Sequence, residues 1–347
     1  MSETSERTYE RNPYLLLEWS RGSELELLDC RQDRRFRVTP ELLALLSQLD
    51  RPLTAEEIHA RWTASQQLPD TNQLLSQLLS VGIIRTSSPN ETMNGWTAYE
   101  LAAHHQAARG PRPDARKGRP PSAHVMHNEA TCTVVLPDDS EAPPSEPLAK
   151  VLNQRRSIRR YSAKPLPFKH LAALLHRAAR VYQTVVEDEL GEMTYRPAPS
   201  GGARHSIELY LLARNVSGLD AGAYHYDAFT HTLHRLAPWS EELTECQRRT
   251  IVVPAQMPEE PPASFYLASY FLRTGWKYKG MTLSLIYRDT GCLMQTLCLA
   301  ATDLGLASCL TARIESPVAA PFLLSRRHEV IHVGNLALGL PTHDSVT

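Results

Sequence analysis

The distribution of proline is the feature that most limits how this chain of 347 residues can fold. Eight of its 25 prolines lie between Pro111 and Pro147. Because proline fixes φ and has no backbone N–H, such a stretch cannot form a helix or a central strand. The sequence therefore predicts three parts: a domain at 1–100, an extended proline-rich connector at 101–148 and a second domain at 149–347.

Formal charge is distributed unevenly between the two predicted domains. Residues 1–100 contain ten Arg, no Lys and fifteen Asp or Glu, which gives a net charge of −5 (10 − 15). The whole chain carries −1, from 37 Lys and Arg against 38 Asp and Glu. This balance excludes a generally basic chain of the kind that coats nucleic acid.

Neither a membrane span nor a metal site is expected. No run approaches the roughly 18 consecutive apolar residues that cross a bilayer, and the polar start, MSETSERTYERNPY, has no apolar signal segment. The six cysteines include no C-x-x-C pair, and no set of cysteines and histidines has zinc-finger spacing. We therefore expect reduced thiols in a cytoplasmic protein.

The first predicted domain has the element order of a winged helix. Thr39 and Pro40 indicate one helix start, and Thr54 with Glu57 forms a capping-box pattern at the next. The third helix contains no Arg or Lys to contact phosphates, so nucleic-acid binding is not expected. A module that docks a peptide or a partner is favoured over a purely structural cap. The predicted strands are 14–19, 24–29, 35–38 and 83–85, and the predicted helices are 41–49, 56–62 and 72–79.

The second predicted domain mixes helices and strands. The apolar stretch 290–304 predicts a long buried helix, and the class expected is α+β. The other predicted helices are 148–153 and 167–182, and the predicted strands are 207–212, 222–225, 232–236 and 330–338.

Three short stretches have residue types suited to chemistry. Four arginines and a serine between Arg155 and Arg160 form a concentrated anion site, because forked guanidinium donors match phosphate oxygens. The alternative is a solvated charged face. The sequence Pro199-Ser200-Gly201-Gly202 lets the backbone approach a flat ligand closely, although a Gly-Gly turn before a strand is common.

The third stretch contains the neighbouring residues Lys277 and Tyr278. A lysine whose pKa is lowered by burial, beside a tyrosine, is suited to proton transfer. Neighbours on a strand point to opposite faces, so joint action requires a turn or an irregular backbone here. The alternative is a surface lysine next to a packed tyrosine.

Together these stretches resemble the nitroreductase superfamily, and most closely its SagB-type branch of azoline dehydrogenases. The resemblance is carried by R-R-S-x-R-x-Y at 155–161, P-S-G-G at 199–202 and G-x-x-x-Q-x-x-x-L-A-A-x-x-L-G-L at 291–306. Further matches are the Lys277 and Tyr278 pair, residues 222–227 and residues 334–341. The strands and three helices at the start also resemble the leader-peptide recognition modules of peptide-modifying enzymes.

The resemblance implies a nitroreductase-like fold that binds FMN at a homodimer interface. Arg155, Arg156, Ser157 and Arg159 match the stretch that holds the phosphate and ribityl groups. Pro199, Ser200, Gly201 and Gly202 match the loop that approaches the isoalloxazine, usually from the partner subunit. Gln295 of the apolar helix belongs to the same implied cofactor-binding set, and Lys277 and Tyr278 are the implied catalytic pair.

The implied reaction oxidises a thiazoline or oxazoline to the azole on a peptide or a carrier-bound intermediate. A proton leaves to a base such as Lys277 and a hydride leaves to the flavin. A cyclodehydratase or a synthetase is the implied partner. Two alternatives remain open: an NAD(P)H-dependent nitro- or quinone reductase, and a non-catalytic peptide-binding protein that keeps the flavin fold.

Overall fold

The computed structural model divides the chain into two compact units, Met1–Arg109 and Gly110–Thr347. The boundary predicted at residue 100 falls within a helix, Ala98–Ala108, which Thr97 and Glu100 begin with a capping box. The winged-helix interpretation of the first unit stays a prediction. The residues that the structure describes are 7–19, 24–63, 70–86 and 95–342.

The first unit contains two three-stranded sheets, with strand orders β5-β1-β6 and β2-β3-β4, and four helices among its described residues. Thr39 caps the first helix, and Gly82, at φ +83°, ends the third. Buried leucines from the sheets and helices, such as Leu45 and Leu75, form its core. The elements are β1 Thr8–Arg11, β2 Leu15–Trp19, β3 Leu25–Asp29, β4 Arg34–Arg37, α1 Pro40–Gln48, β5 Leu53–Thr54, α2 Ala55–Thr63, α3 Thr71–Val81, β6 Ile84–Thr86 and α4 Ala98–Ala108.

The second unit is built on a seven-stranded sheet with the strand order β16-β17-β15-β11-β13-β14-β7. Every neighbouring pair in this sheet is antiparallel. Two small sheets, β10-β9 and β12-β8, lie outside it. The strands of the second unit are β7 Cys132–Val135, β8 Leu166–Pro167, β9 Gln183–Glu187, β10 Gly191–Tyr195, β11 Ile207–Ala213, β12 Val216–Ser217, β13 Gly222–Asp227, β14 Thr232–Pro238, β15 Ala263–Tyr270, β16 Ala307–Thr311 and β17 Val330–Gly339. Its helices are α5 Leu148–Gln154, α6 Phe168–Ala179, α7 Glu241–Gln247, α8 Val253–Ala255, α9 Phe271–Tyr278 and α10 Thr282–Asp303.

Both faces of this sheet are covered by protein. Alternate residues of β11 point to opposite faces, so Leu209 and Leu211 enter the main core while Tyr210 and Leu212 enter a second cluster. Helices α6 and α10 supply the main core with residues such as Leu297. Strands β11 and β13 are therefore buried along their whole length, and the α+β class predicted from the sequence is confirmed.

Several elements differ from the sequence-based expectation, among them strand β15 and helix α9, which the sequence pattern does not predict. Helix α10 begins at Thr282 rather than at the predicted residue 290. The apolar pattern does not reveal its first turns, because they carry polar and half-exposed residues. Strand β7 forms within the predicted connector and, among the residues that the structure describes, pairs with β14 alone. An edge strand uses one side of its backbone for pairing, so it tolerates a proline-rich neighbourhood.

Among the described residues, no helix combines the length and the apolar character that crossing a bilayer requires.

We expect Leu297→Ala to lower the free energy of unfolding by about 2–5 kcal/mol, because it empties space in a core that cannot collapse fully. Leu297 is completely buried on α10. The matched control is Leu324→Ala, whose side chain is 52% exposed and should change stability by less than about 0.5 kcal/mol. Urea denaturation measures both, and equal losses would contradict the assignment of α10 to the core.

Candidate active site

Lys277 and Tyr278 end helix α9, which follows strand β15 directly. Consecutive residues of a helix project about 100° apart, so neighbouring side chains can reach the same feature. A Cβ added to Gly202 would lie 2.6 Å from Tyr278 Oη and 2.7 Å from Lys277 Nζ. The ammonium and hydroxyl groups therefore converge on the α-carbon of Gly202, where only glycine leaves room for them.

The glycine loop (residues 199–202) is held by Asp289 of α10. Ser200 Oγ donates to Asp289 Oδ2 at 2.6 Å, and the Gly201 N–H donates to the same carboxylate at 3.1 Å. Ser200 Oγ in turn accepts the His205 N–H at 2.9 Å. Three hydrogen bonds thus fix the backbone that carries Gly202, whose φ of +61° suits glycine.

Asp289 is a buried acid that the sequence did not indicate as functional. Burial raises the pKa of Asp289, while the hydrogen bonds from Ser200 and Gly201 act in the opposite direction. One sequence signal could have indicated Asp289: it is an aspartate inside a largely apolar helix. A buried aspartate of this kind almost always has a partner.

Helix α9 is anchored to the sheet through Arg273, one turn before Lys277. Arg273 Nη1 donates to Glu208 Oε1 at 2.6 Å and to the His205 carbonyl at 2.8 Å. Burial would raise the pKa of Glu208, but Arg273 and His225 lower it to about 2. Glu208 therefore keeps its charge, and the ion pair fixes the position of α9 beside the loop that leads into β11.

Lys277 is only 9% exposed. Burial lowers the pKa of Lys277, and the positive charges of Arg116 and Arg204 lower it further, while Glu187 opposes them. Lys277 therefore loses its proton at a lower pH than an ordinary lysine, and the neutral amine so formed is the form that accepts a proton.

The arginine segment (residues 155–160) lies at another part of the unit. Arg155 caps the end of α5, and the Ile158 N–H donates to the Ser308 carbonyl of β16 at 2.9 Å. Arg156, Ser157 and Arg159 are exposed. In the part of the chain that the structure describes, no carboxylate pairs with these arginines. They are available for an external anion.

A single copy of the chain does not bring all the predicted residues together. The charge of Arg155 acts on Cys298 of α10, whereas the glycine loop binds Asp289 of the same helix. These two positions are about 14 Å apart along the helix axis, at 1.5 Å per residue. Gln295 is exposed on α10 between them. The glycine loop, Lys277 and Tyr278 form one group, and the arginine segment forms another.

Comparison with known proteins relates the second unit to a known protein family. Residues 152–324 match the nitroreductase family model, so the chain contains a nitroreductase family domain. The fold is nitroreductase-like: a nitroreductase structure from Anabaena variabilis superposes with a TM-score of 0.51 at 18% identity, over 74% of this chain and 50% of that one.

Two curated relatives are similar in sequence. A protein of Methanocaldococcus jannaschii named as a nitroreductase is 28% identical over 178 residues, which are 51% of this chain and 82% of the relative. The trifolitoxin-processing protein TfxB of Rhizobium leguminosarum is 31% identical over 138 residues, which are 39% of this chain. The match spans 37% of the length of TfxB.

We expect Gly202→Ala to displace Lys277 and Tyr278, because the new methyl group would occupy the space of their polar ends. The control is Gly218→Ala, which has a similar positive φ of +77° but nothing within 4 Å of the added Cβ. Each variant should lose about 1 kcal/mol of stability through backbone strain. Only Gly202→Ala should raise the rate at which Lys277 is acetylated in the folded protein, measured by peptide mass spectrometry. Equal rates in both variants would contradict the convergence on Gly202.

Proposed function

We propose that this chain is an FMN-dependent dehydrogenase that oxidises a thiazoline or oxazoline to the azole on a peptide or carrier-bound intermediate. The observation that carries the proposal is the convergence of Lys277 Nζ and Tyr278 Oη on Gly202 within a nitroreductase family domain. A base with a lowered pKa next to a glycine surface suits proton removal beside a flat redox cofactor.

The residues present fit FMN. Arg155, Arg156 and Arg159 would hold its phosphate, because they are free of carboxylate partners among the described residues and offer forked donors. Gly201 and Gly202 carry no side chains, so a planar ring can approach the backbone of the glycine loop beside Lys277 and Tyr278. When bound, FMN would accept the hydride and pass its electrons on, most simply to O₂.

A homodimer would complete the site. The arginine segment and the glycine loop lie towards opposite ends of α10, so a second copy is needed to bring one beside the other. Exposed apolar residues support such a contact: Leu148 and Leu152 on α5 are 65% and 51% exposed, and Tyr287 on α10 is 45% exposed. Gln295 lies on the exposed side of α10 and would face the shared cofactor.

Lys277 and Tyr278 would have different roles towards the substrate: Lys277 accepts a proton and Tyr278 donates a hydrogen bond. Aromatisation of an azoline removes a proton from the ring carbon beside the carbonyl and a hydride from its neighbour. Lys277 Nζ would accept that proton as a neutral amine. Tyr278 Oη, at the same glycine, would donate a hydrogen bond that orients the ring.

The likeness to TfxB, a trifolitoxin-processing protein, supports a substrate presented on a peptide. The acidic first unit would then serve to dock a leader peptide or a partner such as a cyclodehydratase or a synthetase in the cytoplasm. The relative from M. jannaschii supports the second candidate, an NAD(P)H-dependent reductase of small acceptors.

The purified chain should be yellow and contain FMN. Arg155→Gln combined with Arg159→Gln should weaken FMN binding by at least about tenfold, because each charge-assisted bond contributes about 1.5–3 kcal/mol. Fluorescence titration measures the affinity. The control is Arg248→Gln, an exposed arginine paired with Glu245, which should bind FMN normally. A colourless protein that stays colourless after soaking with FMN would contradict the proposal.

Lys277→Ala should lower the rate of azoline oxidation by about 10²–10⁴-fold, the usual contribution of a positioned base, without loss of FMN. Lys169→Ala is the control, because Lys169 is an exposed lysine on α6. The wild-type rate should rise with pH through the lowered pKa of Lys277, since the neutral amine is the active form. The readout is the loss of two hydrogens from an azoline peptide by mass spectrometry. Rapid NAD(P)H oxidation with small acceptors but no azole formation would favour the second candidate.

A further inference from the structure

We propose that Arg204 is a positioning residue that assembles the site of Lys277 and Tyr278 from four separate segments of the chain. Arg204 follows the glycine loop and is only 1% exposed. This inference rests on the proposed role of Lys277 as the base. It is carried by the contacts of the Arg204 guanidinium group, which touches neither the substrate nor the cofactor in this proposal.

Four carbonyl oxygens accept hydrogen bonds from this one guanidinium group. Nε donates to the carbonyl of Arg273 in α9 at 3.0 Å. Nη1 donates at 3.1 Å each to the carbonyl of Leu190, at the end of the β9–β10 turn, and to the carbonyl of Glu192, on β10. Nη2 donates to the carbonyl of Pro121 at 3.0 Å.

The choice of arginine has a physical reason. A buried charge is costly unless hydrogen bonds satisfy it, and within the described residues no carboxylate forms an ion pair with Arg204. The planar fork directs its five N–H groups in fixed directions, whereas a lysine ammonium is a point charge with three donors. The guanidinium also lies 5.7 Å from the ring centroid of Trp276, which adds a cation–π contact.

Pro121 ends a strap (residues 110–121) that crosses the end of α9. The Arg112 N–H donates to the Lys279 carbonyl at 2.7 Å, and the Arg116 N–H donates to the Trp276 carbonyl at 2.7 Å. Trp276 Nε1 donates to the Gly118 carbonyl at 3.2 Å. The strap is thus hydrogen-bonded on both sides of Lys277, and Arg204 fixes its far end.

The hairpin is joined to the strap at the same place. Gly191, between the two hairpin carbonyls that Arg204 binds, has a φ of +68°. A Cβ added there would lie 2.6 Å from Cγ of Pro120, so hairpin and strap are in close contact. Loss of Arg204 would therefore release three elements around Lys277 together.

The assembly also determines the charges around Lys277. Arg116 faces it from the strap, Arg204 from the loop, Glu187 from the hairpin and Tyr278 from its own helix. Burial and the two arginines lower the pKa of Lys277, and Glu187 opposes them. Removing Arg204 would take away one positive charge and admit water, and both changes raise the pKa of Lys277.

The test measures the pH dependence of Lys277 acetylation in the FMN-loaded, full-length chain by peptide mass spectrometry, which requires no substrate. R204Q removes the charge and the fork, and R204K keeps the charge but loses the fork. The matched control is R177K, because Arg177, whose side chain is 13% exposed, likewise binds several partners: Asp139, Asp303 and the Pro143 carbonyl.

We expect R204Q to raise the midpoint of Lys277 labelling by about one pH unit and R204K to raise it by less. Both should lower kcat for azoline oxidation about tenfold or more at neutral pH, with KM changed less than about twofold. R177K should change neither. If R204Q does not fold, the labelling midpoint of Lys277 in R204K is compared with that in R177K, and a rise in R204K alone supports the role of Arg204.

An unchanged midpoint in R204Q, or an equal shift in R177K, would overturn the role of Arg204. If the wild-type chain oxidises no azoline but R204Q still shifts the midpoint, the positioning role stands and the proposed reaction is wrong. The two failures are therefore distinguishable.

Discussion

The attachment of the glycine loop to the central helix is the interaction on which the candidate site depends. Asp289 accepts hydrogen bonds from Ser200 and Gly201 across 89 residues of sequence, and a buried carboxylate without such partners would be strongly destabilising. Because α10 is packed against the sheet through residues such as Leu297, the loop takes its position from the core. Gly202 then offers a fixed surface to Lys277 and Tyr278.

Two further buried groups hold the other side of the site. Arg273 ties α9 to Glu208 on β11, and Arg204 ties α9 to the strap and the hairpin. Each uses fixed donors of a guanidinium group, which loses little freedom per hydrogen bond. The same contacts bury Lys277 and place positive charge near it. They therefore determine both the position of Lys277 and the direction in which its pKa is shifted.

Much of this fold could be predicted from the sequence, because local signals specify local structure. Thr39 and Thr54 mark helix starts as expected, and the strands predicted at 222–225 and 232–236 lie within β13 and β14. The start of α10 was predicted too late, since polar residues interrupt its apolar period. Lys277 and Tyr278 were recognised as a pair, yet whether they act together could not be decided, because that depends on a helix end facing a loop 75 positions away.

The sequence by itself indicated many of the helices and strands, the proline-rich character of residues 111–147 and the motifs of a nitroreductase family domain. These follow from backbone propensity, apolar period and residue type, which act over a few neighbouring residues. Only the tertiary structure decided that Asp289 holds the glycine loop, that Arg204 joins four segments and that the arginine segment lies apart from Lys277. Such facts depend on burial and on distances of a few ångströms between residues far apart in the chain, and the free energies of ionisation and hydrogen bonding change with those distances.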